Sequence, residues 1–407
     1  MKRVSIHIIA LLAILFALNA CATYGAHEVG PTTIHQAQEQ IPEAALMDVG
    51  IEVFKSAEIS NEEAQDEGTT SEIRKAEGHY IPYHLKNTLQ RSSHWGAVRM
   101  LPADSKGSDL LVKGSIVRSN GEYLVLKVEA VDASGNIWLN KTYELDAEEN
   151  SYTGTVQAEN DPFQDLYNTV ANDLAAYKSN KTHADLRKIR SISKLQFASD
   201  FAPGIFSEYL HIDESGKITI NRLPSDDDPM MARLLQIRER DHMVVDTLNE
   251  YYDGFYNEMW PAYEDWRKAN QTEQVALREI NREAITKAVL GALLVAAGIA
   301  LSTSHSNTGL LPGLMVAGGA AVVVNGINVS REAEIHREAI KELSESFGNE
   351  MKPMVVEFQG KKYELTGSVE EQYKQWRELL RKIYFAETGF EPEGNAGDKH
   401  PKGDKGL

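Results

Sequence analysis

The sequence of 407 residues contains little cysteine and comparatively little positive charge. Cys21 is the sole cysteine, so the chain has no second thiol for an intramolecular disulfide, a cysteine-ligated metal or a redox pair. The fold must therefore be stabilised by burial of apolar surface. The 42 Lys and Arg residues stand against 60 Asp and Glu residues, a formal net charge of −18. Such a balance argues against binding to nucleic acid or to anionic lipid, which both require clustered basic residues.

Recognisable catalytic and metal-binding motifs are also missing. The 12 histidines include no His-Glu-x-x-His pair, and Glu334, His336 and Glu338 alternate on a predicted helix, so they do not converge on one ion. No serine lies in a Gly-x-Ser-x-Gly turn, and Gly318-Gly319 precedes no Lys-Ser pair of a phosphate-binding loop. The sequence thus predicts no catalytic residue, no metal and no cofactor.

The first twenty residues have the form of a secretory signal, with two basic residues after the initiator Met and an apolar run from Val4 to Leu18. The run closes on Leu18-Asn19-Ala20-Cys21, which resembles the lipobox of bacterial lipoproteins. The resemblance implies that residues 1–20 are a signal peptide and that Cys21 carries the lipid, with acyl chains such as palmitate. An ordinary signal peptide followed by a chance cysteine is the alternative.

The residue after Cys21 bears on localisation. It is Ala22, whereas Asp at this place retains Gram-negative lipoproteins in the inner membrane. The resemblance therefore implies a lipid-anchored protein of the outer membrane that faces the periplasm. Each acyl chain contributes roughly 0.8 kcal/mol per buried CH₂, so three chains attach a protein stably. Residues 21–43 are polar and aperiodic, contain Gly and Pro, and are predicted to be a tether.

Residues 44–180 are predicted to be an α/β domain that folds on its own. A strand over 46–54 precedes a helix over 70–92, interrupted at Pro82, and a short strand over 97–101. The turn signals Asn120-Gly121 and Ser134-Gly135 then divide an antiparallel meander with one buried face.

The helix that follows this meander has a start signal and one apolar stripe. Asp161 as N-cap, Pro162 at the first helical position and Gln164 predict a capping box. The apolar residues fall at helical spacing and predict packing on the sheet. They are Phe163, Leu166, Tyr167, Val170, Leu174 and Tyr177.

The order strand, helix, meander and helix resembles the small α/β domain of several envelope lipoproteins. The similar segments are Trp95–Arg99, Asp109–Ile116 and Val131–Trp138. The resembling families are the curli-secretion lipoprotein, the Pel-type polysaccharide-export lipoprotein and the activators of penicillin-binding proteins. The resemblance implies a domain that binds a partner protein, and it transfers no functional residue.

A mixed connector over 181–229 leads into a helical region over 230–350. The connector contains a hairpin signal at Ser215-Gly216 and the run Asp226-Asp227-Asp228-Pro229, which is interpreted as a helix cap, with a Ca²⁺ site as the alternative. The helical region, predicted to break near Pro261, is rich in aromatic residues between 251 and 266. They predict the core of a helical bundle, or alternatively an aromatic surface for glycan or a partner protein.

Two apolar runs, Ala288–Leu301 and Gly309–Val324, predict a helical hairpin of the glycine-zipper type over 288–324. Small residues recur at every fourth position and allow two helices to approach closely. They are Ala288, Ala292, Ala296 and Ala300 in the first run and Gly309, Gly313, Ala317 and Ala321 in the second. Runs of about 14 and 16 residues are shorter than the roughly 20 that span a bilayer. Burial in protein, insertion in a membrane as an oligomeric pore and shallow membrane contact all stay open.

The remainder, 351–390, is predicted to be a β-hairpin turning at Gly360 and a helix that begins with a Ser368–Glu371 capping box. The tail over 391–407 is predicted to be disordered. The fold class is α+β.

These observations predict a non-enzymatic outer-membrane lipoprotein that serves as an accessory or scaffold in envelope assembly, export or secretion. Its partners would be the membrane, an envelope protein and a second copy of the chain, and not nucleic acid. An oligomeric pore or channel subunit is the alternative, and a periplasmic hydrolase of glycan or peptidoglycan ranks third.

Overall fold

The structure, a computed structural model, describes residues 26–56, 60, 64, 67–102, 105, 107–147, 151–152, 161–225, 227–302, 335–346, 352–358 and 360–389. Only the backbone is described for residues 277, 279–302 and 358. The architecture is α+β, as predicted, with a mixed sheet and a long helical region.

The main sheet has seven strands in the spatial order β1-β7-β6-β5-β2-β4, with β3 paired to β5. The strands are β1 (His27–Glu28), β2 (Val49–Glu52), β3 (Lys55–Ser56), β4 (Val98–Leu101), β5 (Leu110–Ser119), β6 (Tyr123–Asp132) and β7 (Ile137–Asp146). Strands β5, β6 and β7 form the predicted antiparallel meander. The pairs β1/β7, β2/β4, β2/β5 and β3/β5 are parallel.

Both predicted turns of the meander are confirmed. Gly121 and Gly135 each have a φ of 80°, which a residue without a Cβ adopts freely. Along β6, Leu124, Leu126 and Val128 are at most 1% exposed, whereas Lys127 on the opposite face is exposed. The period of two therefore buries one face of the sheet and leaves the other toward solvent.

The helices are α1 (Ser71–Arg91), α2 (Gln164–Ser179), α3 (His183–Phe201), the short α4 (Pro203–Phe206), α5 (Pro229–Ser302), α6 (335–346) and α7 (Val369–Thr388). Helices α1 and α2 pack against each other and against the apolar face of the sheet. The predicted stripe of α2 is buried from Phe163 to Leu174, and the ring of Tyr177 stacks on Trp138 with 4.9 Å between centroids.

Three predicted helix boundaries are wrong. Helix α1 continues through Pro82 and α5 continues through Pro261, although a proline inside a helix costs about 3 kcal/mol. Buried side chains on both sides of each proline outweigh that cost, including Tyr80 and Leu85 in α1. The capping box at Asp161 does not form: the Asp161 carboxylate accepts from the N–H of Phe163 at 2.8 Å and from Arg267, and α2 begins only at Gln164, whose N–H donates to the Asp161 carbonyl.

The segment predicted to be a tether is folded over residues 26–43. Strand β1 pairs with β7, and Asn168 and Asn172 of α2 donate side-chain hydrogen bonds to the carbonyls of Thr32 and Thr33 at 2.8 and 2.9 Å. The polar, aperiodic sequence does not predict this arrangement, because the backbone groups of the segment are bound by side chains of α2 that are distant in sequence. We refer to residues 32–37 as the strap.

The predicted boundary near residue 180 does not separate two cores. The first part of α5 lies against α1 and β4. The Asn249 amide accepts from the N–H of Met100 at 2.7 Å and donates to its carbonyl at 2.9 Å, thereby taking the place of a further strand at the edge of the sheet. The aromatic residues of α5 are core, and the alternative of an aromatic surface is wrong for those that are buried. They are Tyr252, Phe255, Tyr256, Tyr263 and Trp266.

The smaller predicted elements are confirmed. Strands β8 (Leu210–Ile212) and β9 (Ile218–Ile220) form one hairpin, and β10 (Met354–Phe358) and β11 (Lys361–Leu365) form another. Asp228 caps α5 by accepting from the N–H groups of Met230 and Met231. Ser368 and Glu371 form the predicted capping box of α7.

Candidate functional site

An ion pair lies fully buried where α2 and α5 meet. Arg267 Nη2 donates to Asp161 Oδ2 at 2.7 Å, and the two side chains are 1% and 0% exposed. Burial alone raises the pKa of Asp161, but the Arg267 guanidinium and the hydrogen bonds to the carboxylate lower that pKa below its usual value. Asp161 is therefore ionised at neutral pH, and the pair connects α5 to the start of α2.

His84 of α1 lies beside this pair and is held in its neutral form. Its Nδ1 is 2.6 Å from the Tyr256 hydroxyl and its Nε2 is 2.9 Å from Gln164 Oε1. An amide oxygen only accepts, so Nε2 carries the proton and Nδ1 accepts from the tyrosine. Burial lowers the pKa of His84 and favours this uncharged state. The ring thus links α1, α2 and α5 in one hydrogen-bonded chain.

Glu77 forms a second buried junction. Its partner Tyr263 lies one turn of α5 before Arg267. Glu77 Oε1 accepts from Ser119 Oγ at 2.6 Å and from the Tyr263 hydroxyl at 2.7 Å, while Glu77 Oε2 accepts from Arg74 Nη1 at 3.1 Å. Helix α1, strand β5 and helix α5 therefore share one carboxylate. In both junctions the charged oxygens are already bound by protein donors, so the arrangement holds helices together and offers no free base to a substrate.

A polar cleft of about 610 Å³ opens above Asp161. Gln164 and Asn168 of α2 line it together with Arg91 of α1 and the strap residues Thr32 and Thr33. Asp161 is already paired with Arg267, which leaves Arg91 against Asp165, so the cleft favours neither anions nor cations. Its amide and hydroxyl groups suit a neutral polar ligand, and one of its walls is the segment that follows Cys21 in sequence.

Helix α5 continues well beyond these junctions. Arg278 of α5 is bound to the Tyr123 hydroxyl at 3.0 Å and ion-paired with Glu122. The helix extends to Ser302, a further 24 residues by subtraction, or about 36 Å at 1.5 Å per residue. We call Pro229–Arg278 the proximal half and 279–302 the distal half of α5.

Helix α6 returns alongside the junction of the two halves. Arg337 Nη2 lies 3.9 Å from Glu273 Oε2, and Ile340 is fully buried. Helix α6 therefore contacts α5 near the end of its proximal half.

The predicted site residues fall into two groups. The first group lies in the distal half of α5, of which only the backbone is described: Ala288, Ala292, Ala296 and Ala300. The others lie outside the described residues: Cys21, the second hairpin run with Gly309, Gly313, Ala317 and Ala321, the signal peptide and the tail over 391–407. Packing of the small residues and lipidation of Cys21 thus stay predictions.

The described ranges also bear on metal binding and on membrane crossing. Within those ranges, no three His, Cys, Asp or Glu residues are grouped so that they could hold a metal ion. No described helix combines the length and the apolar character that a bilayer crossing requires.

Comparisons with known proteins identify no family. No protein-family description matches the sequence, and no curated protein is significantly similar to it. The crystal structure of protein XCC0632 from Xanthomonas campestris, of family DUF330, aligns with 40% of this chain and 94% of its own, at 9% identity and a TM-score of 0.19. A similarity at this TM-score carries no argument.

Sequence reasoning missed the buried junctions and the cleft. Asp161 and Arg267 are 106 positions apart, and each has a ready local interpretation as a helix cap or a solvated charge. The run of aromatic residues around Arg267 was the available signal, because a charge among rings at helical spacing must face the core.

Proposed function

We propose that the protein is an outer-membrane lipoprotein, anchored at Cys21 and facing the periplasm, that serves as a non-catalytic accessory or scaffold in envelope assembly, export or secretion. The proposal rests on one observation above all. Helix α5 continues for 24 residues, about 36 Å, beyond Arg278, and residues 288–302 in this stretch contain no charged residue.

A surface helix of a soluble protein has a polar face toward water, and this part of α5 has almost none. It therefore needs a covering surface. We propose that protein covers it: the second run of the hairpin, and a partner envelope protein or a second copy of the chain. The folded body would then serve as the base that holds this interaction arm at the membrane.

Attachment through Cys21 is tested first, by metabolic labelling with palmitate. The full chain should incorporate label, and Cys21→Ser should leave an unlabelled precursor with its signal attached. Cys21 is the sole thiol of the chain, so no other cysteine can accept the lipid. Label in the Cys21→Ser protein would contradict the anchor.

A pore or channel subunit is the second candidate, because small residues at every fourth position also suit helices that associate within lipid. Release of a trapped dye from vesicles separates the two functions. The accessory should attach to vesicles through its lipid and release no dye. A pore subunit should release dye in proportion to oligomer formation, and Ala296→Leu should abolish that release.

A further inference from the structure

Three lysines from three separate elements line one pocket of about 240 Å³. Lys181 lies between α2 and α3, Lys188 lies in α3, and Lys217 lies just before β9. None of the three forms an ion pair with a described residue, although Lys181 Nζ lies 5.0 Å from the centroid of the Tyr177 ring. Lys188 and Lys217 are exposed. Their charges therefore face a common, open space.

The two acidic residues of the pocket accept hydrogen bonds from neighbouring groups. Asp132 accepts from Trp138 Nε1 at 2.7 Å and from the Ser134 hydroxyl and backbone. Asp185 accepts from the backbone N–H and the hydroxyl of Thr182 at 3.0 and 2.7 Å. Three positive charges thus stand against two negative ones: both oxygens of Asp132 accept hydrogen bonds, and Asp185 accepts through Oδ2. In a chain of net charge −18, this pocket has the opposite sign to the average surface.

The walls of the pocket are held in fixed positions relative to one another. The N–H of Ile218 donates to the carbonyl of Ser134 at 2.9 Å, which joins the β8–β9 hairpin to the turn between β6 and β7. Gly135 lies so close to Gly216 that a Cβ on Gly135 would come within 2.6 Å of the Gly216 carbonyl. Lys217 is therefore held opposite Lys181 and Lys188 before any ligand arrives.

The pocket lies at the end of the sheet from which the chain enters. It contains the β6–β7 turn, whereas α5 leaves past Glu122 and Tyr123 at the opposite end of β6. Strand β1 runs parallel to β7 with His27 opposite Tyr143, so the chain before His27 approaches from the pocket's end. His27 lies six positions after Cys21, a stretch of chain that reaches at most about 20 Å. Tyr143 likewise lies six positions after Ile137, which is beside the β6–β7 turn, and this is about 20 Å along the strand. A lipid on Cys21 thus comes within reach of the level of the pocket.

We infer that Lys181, Lys188 and Lys217 bind the phosphate group of anionic lipid headgroups in the membrane that holds Cys21. The placement rests on the proposed anchor at Cys21. The pocket would orient the body with this end toward the bilayer and the distal half of α5 away from it. The overall charge of the chain predicts no such contact, because an average over 407 residues conceals a local excess of the opposite sign.

The test uses the full mature chain without its lipid, residues 22–407, and measures its binding to vesicles. One vesicle contains phosphatidylcholine alone and the other contains phosphatidylcholine with phosphatidylglycerol. The variant is Lys181→Gln/Lys188→Gln/Lys217→Gln. The matched control is Lys361→Gln/Lys362→Gln/Lys374→Gln, which removes three exposed lysines from β11 and α7 and changes the net charge equally.

We expect tighter binding to the anionic vesicles, lost at high salt because exposed charges are screened. The pocket variant should weaken this binding roughly fivefold for each lysine, on the order of a hundredfold in total, and the control should leave it unchanged. Equal loss in both variants, or no preference for phosphatidylglycerol, would overturn the inference. Saturable binding of inorganic phosphate, abolished in the pocket variant, would assign the site to a soluble phosphate and overturn the lipid source. Because the assayed chain has no lipid, none of these results depends on the modification of Cys21, which the palmitate label tests separately.

Discussion

The two halves of α5 belong to one continuous helix and use opposite chemistry. The proximal half is fixed to the body by aromatic rings and by paired charges such as Arg267 with Asp161 and Arg99 with Asp246. From residue 288 onward the distal half contains no charged residue and repeats Ala at every fourth position. Helical hydrogen bonds continue across both, so backbone geometry does not distinguish them. The side chains distinguish the two halves. Those of the proximal half bind the body of this chain, and the small residues of the distal half suit close packing against another surface.

The largest expected effect concerns the fragment 44–180, which the sequence predicts to fold alone. We expect no cooperative thermal transition, because the fragment lacks the proximal half of α5. Asp161 would lose Arg267, and Tyr80 would lose Tyr263, whose ring centroid lies 4.7 Å from its own. Circular dichroism during heating, with residues 22–407 as reference, measures this. A cooperative transition in the fragment would show that the proximal half only lies on an independent domain.

Arg267→Met should destabilise the full chain by about 3–5 kcal/mol, because it leaves the Asp161 carboxylate buried without its counter-ion. Lys268→Met is the matched control, since Lys268 is the exposed neighbour on the same helix, and it should change stability by less than about 0.5 kcal/mol. Urea unfolding measures both variants. Equal midpoints would mean that the ion pair does not hold α5 to the body.

Ala296→Leu tests the distal half. If Ala296 lies in a tight helix contact, the added methyl groups should cost about 1–3 kcal/mol by overpacking. The expected signature is a second, weaker unfolding transition that moves with this variant while the transition of the body stays fixed. A variant as stable as the original would mean that the small-residue spacing is not used for packing.

Acidification should weaken the contact between the proximal half and the sheet. Burial, followed by the charges of Arg238 and Arg99, lowers the pKa of His242 to about 4, and Asp48 and Asp246 oppose this only in part. The unfolded chain, with a histidine pKa near 6.5, binds the proton first as the pH falls. Stability is thus complete above about pH 6.5 and decreases toward pH 4, by about 1–2 kcal/mol between pH 7 and pH 5.

His242→Gln should remove that part of the pH dependence, and His211→Gln, at an exposed position on β8, should leave it unchanged. Urea unfolding at several pH values checks this. An identical pH profile for His242→Gln would contradict a half-buried, neutral His242.

Local signals predicted most of the elements, and contacts between distant residues account for most of the errors. The Gly121 turn, the Ser368–Glu371 cap and the stripe of α2 depend on residues within one turn or one helix, so the sequence displays them directly. The strap depends on Asn168 and Asn172, more than a hundred residues away. Helix continuity through Pro82 depends in the same way on packing, which outweighs a local penalty.

The candidate site was predicted least well for the same reason. Nothing near Asp161 indicates Arg267, and nothing near Lys181 indicates Lys217, because folding alone brings these side chains together. The anchor and the hairpin, by contrast, are contiguous patterns that the sequence displays directly, and both stay predictions.

The central claim is that the distal half of α5 is covered by protein and not by lipid. Flotation of the unlipidated chain, residues 22–407, with vesicles of phosphatidylcholine alone tests it most directly, since these vesicles offer no anionic headgroup to the lysine pocket. If protein covers the distal half, the chain should stay soluble without detergent and remain at the bottom of the gradient. A chain that requires detergent, or that floats with the vesicles while residues 288–302 become protected by lipid, would contradict the account and support the pore.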